Sequence, residues 1–155
     1  MPTTLIPSAY RAVIPYLIVN DPPRAIDFYK AAFSAIEQVR LADPNGKIMH
    51  AEIRIGDAAI MLADEFPEMG YRSPRTLGGS PVCLLLYVED VDAVFAAAIA
   101  AGGTETMAVA DQFDGDRRGT LTDPFGHIWL LATKKEQVSM EEMQSRFAKL
   151  MQQGE

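Results

Sequence analysis

The sequence predicts an α+β fold in which two tandem βαβββ units form curved mixed sheets around a cleft, followed by a C-terminal helix. One observation behind this prediction is an internal repeat, in which residues recur 69 positions later. Examples are the pairs Leu17 and Leu86, Val19 and Val88, and Asp21 and Asp90. The stronger observation is that each half has the same order of one strand, one helix and three strands, as expected for a duplicated unit.

Unit one spans about residues 12–64 and begins with an apolar strand, VIPYLIVN. Asp21 predicts the start of the helix PPRAIDFYKAAF, because aspartate accepts hydrogen bonds from free backbone N–H groups and proline suits the first helical position. Ile26, Tyr29 and Phe33 fall on one apolar stripe of this helix, which we expect to be buried.

Three strands are predicted after the first helix, in the stretches IEQVRLA, KIMHAEIRI and AAIMLAD. Turn sequences separate them: DPNG at 43–46 and Gly-Asp at 56–57. Residues 65–81 are rich in proline and glycine and form a linker between the two units. A linker of this length allows the units to fold together or to be exchanged between two chains.

Unit two spans about residues 82–133 and repeats the order of unit one. The strand PVCLLLYV is followed by Asp90 as helix cap, and the helix VDAVFAAAIAAGG ends in a glycine pair. The stretches TETMAVA and DGDRRGTLT predict two more strands, and the turn DPFG leads into the last one.

A third helix is predicted at residues 139–152, where Ser139 and Glu142 have the spacing of a capping box. Its apolar stripe comprises Met140, Met143, Phe147, Leu150 and Met151. Such a stripe must be buried, because isolated helices of this length are marginal in water. It can cover the cleft of its own chain or lie on a partner, and we favour the partner.

Composition indicates an ordinary soluble domain. Apolar residues make up 48% of the 155 residues, and the net charge of −7 argues against nucleic-acid binding. No stretch approaches the roughly 18 apolar residues of a membrane span, and the N-terminus lacks the pattern of a signal peptide. The lone Cys83 excludes an internal disulfide, and we expect a cytoplasmic protein without membrane partners.

Three ionisable side chains, His50, Glu52 and Arg54, are expected on one face of the third strand. If residues 56–57 form a two-residue turn, Glu52 pairs with Met61 and the trio shares a face with it. The opposite face is apolar enough to pack beneath a helix. The trio therefore lines the cleft, partly solvated, or forms a salt-bridged face in solvent, and the sequence leaves both open.

The second wall of the cleft is expected to be apolar. The 69-residue interval relates Glu52 to Leu121 and Met61 to Leu130. By strand alternation, His127 and Trp129 lie on the face opposite Leu130, where they are expected to pack beneath a helix or at a dimer contact. The predicted pocket therefore has ionisable groups on one wall and leucine on the other.

The tandem units and the stretches AIDFYKAAF, GKIMHAEIRIGD, LYVEDVDA and DPFGHIWLLAT resemble the glyoxalase, bleomycin-resistance and extradiol-dioxygenase superfamily, also called vicinal oxygen chelate proteins. The resemblance covers roughly residues 10–135. With the tail TKKEQVSMEEMQSRFAKLM, the chain is most similar to the PhnB-like bacterial subgroup. The resemblance implies a homodimer, whereas the activity stays open because this fold hosts many chemistries.

Active members of this superfamily bind a divalent metal through side chains on the first and fourth strands of each unit. The resemblance places those positions at Ile14, Met61, Cys83 and Leu130. These side chains cannot form a site for a hard cation. We therefore expect no metal and no cofactor, with Leu130 in a structural role and Cys83 as a buried apolar thiol.

Three functions remain possible from the sequence. The first is a metal-free binding protein of the bleomycin-resistance type that sequesters a cationic or aromatic small molecule. The second is an enzyme, such as a lyase, that uses His50 and Glu52 as an acid–base pair or as a replacement metal site. The third is a homologue whose cleft is filled by its own side chains. The predicted ligand-binding residues are Tyr16, His50, Glu52, Arg54, Met61, Cys83, Leu85, Tyr87, Phe113 and Leu130.

Overall fold

Each predicted unit forms one four-stranded sheet with one helix in the computed structural model, which describes residues 5–154. Unit one comprises β1 (Tyr16–Ile18), α1 (Pro22–Phe33), β2 (Ile36–Ala42), β3 (Ile48–Ile55) and β4 (Ala58–Ala63). The linker holds a 3₁₀ turn (Pro67–Met69) and a short helix, α2 (Pro74–Leu77). Unit two comprises β5 (Cys83–Tyr87), α3 (Val91–Ala100), β6 (Thr104–Asp111), β7 (Asp116–Thr122) and β8 (Ile128–Lys134). Helix α4 (Met140–Gln153) follows.

The two sheets have the same mixed topology. Sheet one has the strand order β1-β4-β3-β2, and sheet two has the order β5-β8-β7-β6. In both, the first strand of the unit runs parallel to the fourth, and the other neighbours are antiparallel. The predicted α+β fold with two four-stranded mixed sheets and a C-terminal helix is confirmed.

Helix α1 begins and ends where the sequence predicted. The Asp21 carboxylate accepts a hydrogen bond from the backbone N–H of Arg24 at 3.3 Å, which caps the first turn. Ser34 adopts φ 57° and ends the helix in the left-handed conformation. The predicted stripe of Ile26, Tyr29 and Phe33 is buried, so the helix packs through that face.

Helices α1 and α3 lie against each other between the two sheets and form one core with both. Helix α1 of unit one also packs on unit two, because the rings of Tyr29 and Phe33 lie 5.5 and 4.7 Å from the indole of Trp129. The prediction that Trp129 packs beneath a helix is confirmed, although that helix belongs to the other unit.

A buried carboxylate joins the two units at this point. Asp123 accepts hydrogen bonds from the Tyr29 hydroxyl at 2.5 Å and from the Trp129 indole N–H at 2.9 Å. Its other oxygen accepts the backbone N–H groups of Phe125 and His127 and so shapes the predicted DPFG turn. The imidazole Nε2 of His127 lies 2.9 Å from the carbonyl oxygen of Ile18 in unit one. These contacts hold the β7–β8 turn against unit one.

The helix-free face of each sheet, here called its open face, lies on the side away from the shared core. Since α1 and α3 occupy the space between the sheets, the two open faces do not meet within one chain. The exposed apolar side chains on open face one are Tyr16, Ile36, Leu41 and Met49, and those on open face two are Leu85, Tyr87 and Met107. A cleft walled by both open faces therefore requires a second chain.

Helix α4 begins after Ser139, whose hydroxyl accepts the backbone N–H of Glu142 at 3.1 Å as predicted. The helix is anchored to its own chain by the Phe147 ring, which lies 5.4 Å from that of Phe113. Much of its apolar stripe is exposed, including Met140, Leu150 and Met151. Across residues 5–154, the helices are all too short or too polar to span a lipid bilayer.

Candidate functional site

Open face one brings together five of the predicted ligand-binding residues. Strand β3 pairs with β4 so that Glu52 lies opposite Met61, and β1 pairs with β4 so that Tyr16 lies on the other side of Met61. The two-residue turn at 56–57 thus forms as predicted, and alternation along β3 adds His50 and Arg54 to the same face. The register predicted from the sequence is confirmed here.

His50 is oriented by Tyr16 on this face. The Tyr16 hydroxyl lies 2.9 Å from Nδ1 of His50, and their rings are 5.6 Å apart. Burial and the neighbouring Tyr71 raise the pKa of Tyr16 above its ordinary value. The tyrosine is therefore protonated at neutral pH, and its hydroxyl can donate to His50 or to a ligand.

Glu52 is covered by the segment that precedes β1, contrary to the expectation that it is partly solvated. The Tyr10 hydroxyl donates to Oε2 of Glu52 at 2.8 Å, and only 5% of the Glu52 surface is exposed. Arg54 donates to the carbonyl oxygen of Ala9 and fixes the same segment. Strand alternation placed Glu52 on the correct face, but a single sequence does not show that a preceding tyrosine folds over it.

His50 and Glu52 therefore have different partners. Tyr16 bonds to His50 and Tyr10 to Glu52, and the part of the chain described by the structure shows no hydrogen bond between the histidine and the glutamate. The two residues of the predicted acid–base pair lie two positions apart on one face of β3, but each forms its hydrogen bond with a different tyrosine.

Open face two carries the predicted residues of the second wall. In the parallel pairing of β5 and β8, Leu85 lies opposite Leu130 and Cys83 lies opposite Ile128. Cys83 is exposed, so its assignment as a buried thiol is wrong for a single chain. The reason is the strand pattern, since Leu84 and Leu86 face the core and their neighbours point outward. Leu130 is half-buried on the same open face, not in the core.

The 69-residue interval of the repeat does not hold in β7, where equivalent positions are 68 residues apart. Thr120, and not Leu121, pairs with Leu130, while Leu121 pairs with Trp129 and is fully buried. The structural counterpart of Glu52 is therefore Thr120, at an interval of 68 residues. A one-residue shift moves a side chain to the other face of a strand, which explains why counting at a fixed interval assigned Leu121 wrongly.

An ion cluster around Asp116 stands at the edge of open face two, and the sequence did not predict it. The Tyr87 hydroxyl donates to Asp116 at 2.7 Å, while Lys134 and Arg118 lie 2.9 and 3.1 Å from its carboxylate. Burial alone would raise the pKa of Asp116, but the bond from Tyr87 and the two cations outweigh burial and lower it. The hydroxyl of Tyr87 is thus engaged, while more than half of the residue stays exposed.

Phe113 does not join the other predicted residues. It lies in the turn between β6 and β7 and packs against Phe147 of α4, and its carbonyl oxygen accepts a hydrogen bond from Arg146. Its role in this structure is to anchor the C-terminal helix, although the sequence assigned it to the cleft because it is aromatic.

The side chains at the superfamily's metal positions do not fit a hard divalent cation. Ile14 and Leu130 have no donor atom, and Met61 and Cys83 offer only sulfur, from different sheets. Across residues 5–154, His, Cys, Asp and Glu side chains form no group of three or more that could hold a metal ion. The four positions therefore do not reproduce the superfamily's metal site.

Comparison with known proteins identifies relatives of the whole fold. An uncharacterised protein of Mycobacterium bovis is 47% identical over 137 residues, which cover 86% of this chain and 90% of the relative. The crystal structure of TioX from Micromonospora sp. ML1 has a TM-score of 0.62 and 26% identity, covering 84% of this chain and 99% of TioX.

A PhnB protein from Bacillus cereus shares the fold, with a TM-score of 0.62 and 18% identity over 79% of this chain and 99% of that protein. The sequence profile of the Glyoxalase/Bleomycin resistance protein/Dioxygenase superfamily matches residues 11–131. That match includes all of unit one, and unit two as far as Leu131 in β8, so strands of both open faces lie within it. The chain belongs to the Glyoxalase/Bleomycin resistance protein/Dioxygenase superfamily.

Proposed function

We propose that this chain is a metal-free small-molecule-binding protein that acts as a homodimer, and that it belongs to the PhnB-like part of its superfamily. Open face one of one chain and open face two of the other form the walls of each ligand site. The observation that carries this proposal is that both open faces expose aromatic and aliphatic side chains while the helices lie between the sheets. Large exposed apolar surfaces of this kind indicate a protein or ligand interface.

The two walls have complementary chemistry for a small ligand. Open face one offers the hydroxyl of Tyr16, the imidazole of His50 and the thioether of Met61. Open face two offers Leu85 and Leu130. A mostly apolar cleft with a few oriented polar groups is the usual composition of a small-molecule site.

A mixing experiment tests this proposal. A thermal-shift screen of aromatic and cationic compounds supplies a ligand, which is then titrated against His50→Ala, against Leu130→Ala and against a refolded equal mixture of both chains. Each single variant is expected to bind at least ten-fold more weakly. The mixture should regain about a quarter of the wild-type sites, because half of the dimers are heterodimers and each has one intact site.

Several results would contradict the proposal. If the mixture regains no sites, each site lies within one chain. A monomer in sedimentation at micromolar concentration would exclude the dimer, and stoichiometric metal in the purified protein would exclude the metal-free site.

An enzyme remains the second candidate, because the hydrogen bond between Tyr16 and His50 provides a proton donor and acceptor on an open face. The burial of Glu52 beneath Tyr10 favours binding over the predicted acid–base pair. Conversion of a bound ligand by the wild type but not by His50→Ala would support the enzyme.

A further inference from the structure

The linker builds a pocket at one end of open face one. It has a volume of about 430 Å³ and is complete within one chain. Strands β1, β3 and β4 form its floor, and the segment 66–71 forms its outer wall. The lining residues are Tyr16, Ile18, Met49, Ala63, Phe66, Met69 and Tyr71.

Backbone contacts hold the outer wall in place. Phe66 and Tyr71 exchange two backbone hydrogen bonds of 2.9 and 3.1 Å around the 3₁₀ turn, and Gly70 takes φ 82° to close it. This closed turn presents Met69 and Tyr71, both about half exposed or more, above the sheet. The wall is therefore a hydrogen-bonded turn.

A bulge in β3 places the thioether of Met49 in the floor of the pocket. Leu41 pairs with His50 but its neighbour Ala42 pairs with Ile48, so one extra residue, Met49, lies between the two pairs. Such a bulge reverses the alternation of side chains. Ile48 is thereby buried in the core, while Met49 reaches the pocket.

The lining chemistry favours a flat ring without charge. Three aromatic rings and two thioethers surround the space, and within residues 5–154 no charged side chain lines it. Aromatic rings and methionine sulfur are good partners for another aromatic face. The ammonium of Lys47 lies 4.2 Å from the ring centre of Phe66 and already uses that ring as a cation partner.

The carboxylates of Asp64 and Glu65, next to the wall, are already hydrogen-bonded within the chain. Asp64 accepts the backbone N–H of Ile48, and Glu65 accepts the N–H of Ser73 and the hydroxyl of Thr76. With Lys47 beside the wall, a cation would meet a like charge, and within residues 5–154 the lining has no charged side chain to offset it. The polar groups left for a ligand are the hydroxyls of Tyr16 and Tyr71, at the end where Tyr16 contacts His50.

We propose that this pocket is a ligand subsite for a small, flat and uncharged aromatic group that carries one hydrogen-bonding substituent. The volume of about 430 Å³ lies near the lower end of small-molecule sites, which suits one or two fused rings. The inference rests on the proposed function, since it names the ligand class of the same open face, yet it needs only one chain.

Titration of the full chain with 2-naphthol, followed by its fluorescence, tests the subsite. Tyr71→Ala and Met69→Ala are each expected to weaken binding by ten-fold or more. Leu77→Ala is the matched control, because Leu77 is a similarly exposed apolar residue of the linker outside the pocket. Tyr71→Phe should retain most of the affinity, since it keeps the ring.

The charge of the ligand is tested with 2-naphthyltrimethylammonium, which is expected to bind at least ten-fold more weakly than 2-naphthol. Tighter binding of the cation would overturn the assignment of an uncharged ligand. Equal binding of 2-naphthol by Met69→Ala, Tyr71→Ala and Leu77→Ala would overturn the subsite, even if the dimeric cleft is confirmed. Conversely, Tyr71-dependent binding by a monomeric chain would support the subsite and refute the shared cleft.

Discussion

Asp123 links parts of the chain that are far apart in sequence, since its carboxylate bonds to Tyr29, 94 positions away. It is almost fully buried and accepts two side-chain and two backbone hydrogen bonds. An ionised carboxylate is stable in such a place only if its oxygens are satisfied. Burial and the nearby charge of Asp123 raise the pKa of Tyr29 well above its ordinary value, so the hydroxyl keeps its proton and remains a donor.

Tyr29→Phe removes one donor from this buried carboxylate while it keeps the ring. We expect the free energy of unfolding to fall by about 1–3 kcal/mol, the usual cost of an unsatisfied buried polar group. Urea denaturation followed by tryptophan fluorescence measures the change, and Trp129 is itself the reporter. A change below about 0.5 kcal/mol would show that the bond from Tyr29 does not hold the two units together.

Asp116 predicts a dependence of stability on acid pH. Its pKa is lowered in the folded protein, so the folded chain binds fewer protons than the unfolded chain near the ordinary aspartate pKa of about 3.9. The stability that Asp116 contributes is therefore present above that pH and is lost as the pH falls through the lower folded value.

Asp116→Asn is expected to be less stable at pH 7 but to lose less of its free energy of unfolding between pH 7 and pH 3. Urea denaturation at both pH values measures this. Asp57→Asn is the control, because its ion pair with Arg11 is exposed and such pairs contribute little. An identical acid-induced loss in the wild type and Asp116→Asn would contradict the role given to the cluster.

At the level of elements, the sequence predicted the regular parts well. Helix α1 and strand β2 occupy the predicted residues. The helix is marked by a capping aspartate, a proline and clear apolar periodicity. The departures have local causes that a single sequence does not reveal. They include the bulge at Met49, the one-residue shift that exchanges Leu121 for Thr120, and the folded linker turn.

The candidate site could be predicted only in part for the same reason. Alternation around the 56–57 turn correctly grouped His50, Glu52 and Met61 on one face. It did not reveal Tyr10, which reaches Glu52 across 42 positions of sequence. Contacts between distant loops depend on the packed structure, and no periodic pattern encodes them.

Helix α4 combines a contact with its own chain and an exposed apolar surface. We expect the double variant Leu150→Ser/Met151→Ser to weaken the proposed dimer by ten-fold or more, since both side chains are about half exposed and lie on the apolar stripe. The stability of the single chain should hardly change. Sedimentation equilibrium measures the association, with Gln152→Ser on the polar face of α4 as control.

The deletion of residues 138–155 separates the two roles of α4. It removes the contact between Phe147 and Phe113 together with the exposed stripe. A truncated chain that remains dimeric and equally soluble would contradict the role of the helix, but not the dimer itself. Retained dimerisation in the double variant, together with loss in the truncated chain, would assign the interface to residues 138–155 other than Leu150 and Met151.

At the scale of the whole molecule, the inner position of the helices decides where ligands can bind. Both units share one core. The two open faces lie outside this core, and they differ in their side chains. Open face one has polar groups, a pocket and a covering segment, whereas open face two has leucine and a threonine at the matching positions. The two units have the same sheet topology. The side chains that differ between them give the two open faces different chemistry.

The packing of α1 on Trp129 also constrains how this gene can change. A duplication normally leaves two copies that are free to diverge, recombine or be lost separately. Here Tyr29 and Phe33 of the first copy pack on Trp129 in the interior of the second. Asp123 of the second copy accepts a hydrogen bond from the Tyr29 hydroxyl of the first. Neither copy can be deleted or replaced by a relative's copy without leaving an aromatic cavity or an unpaired acid in the other.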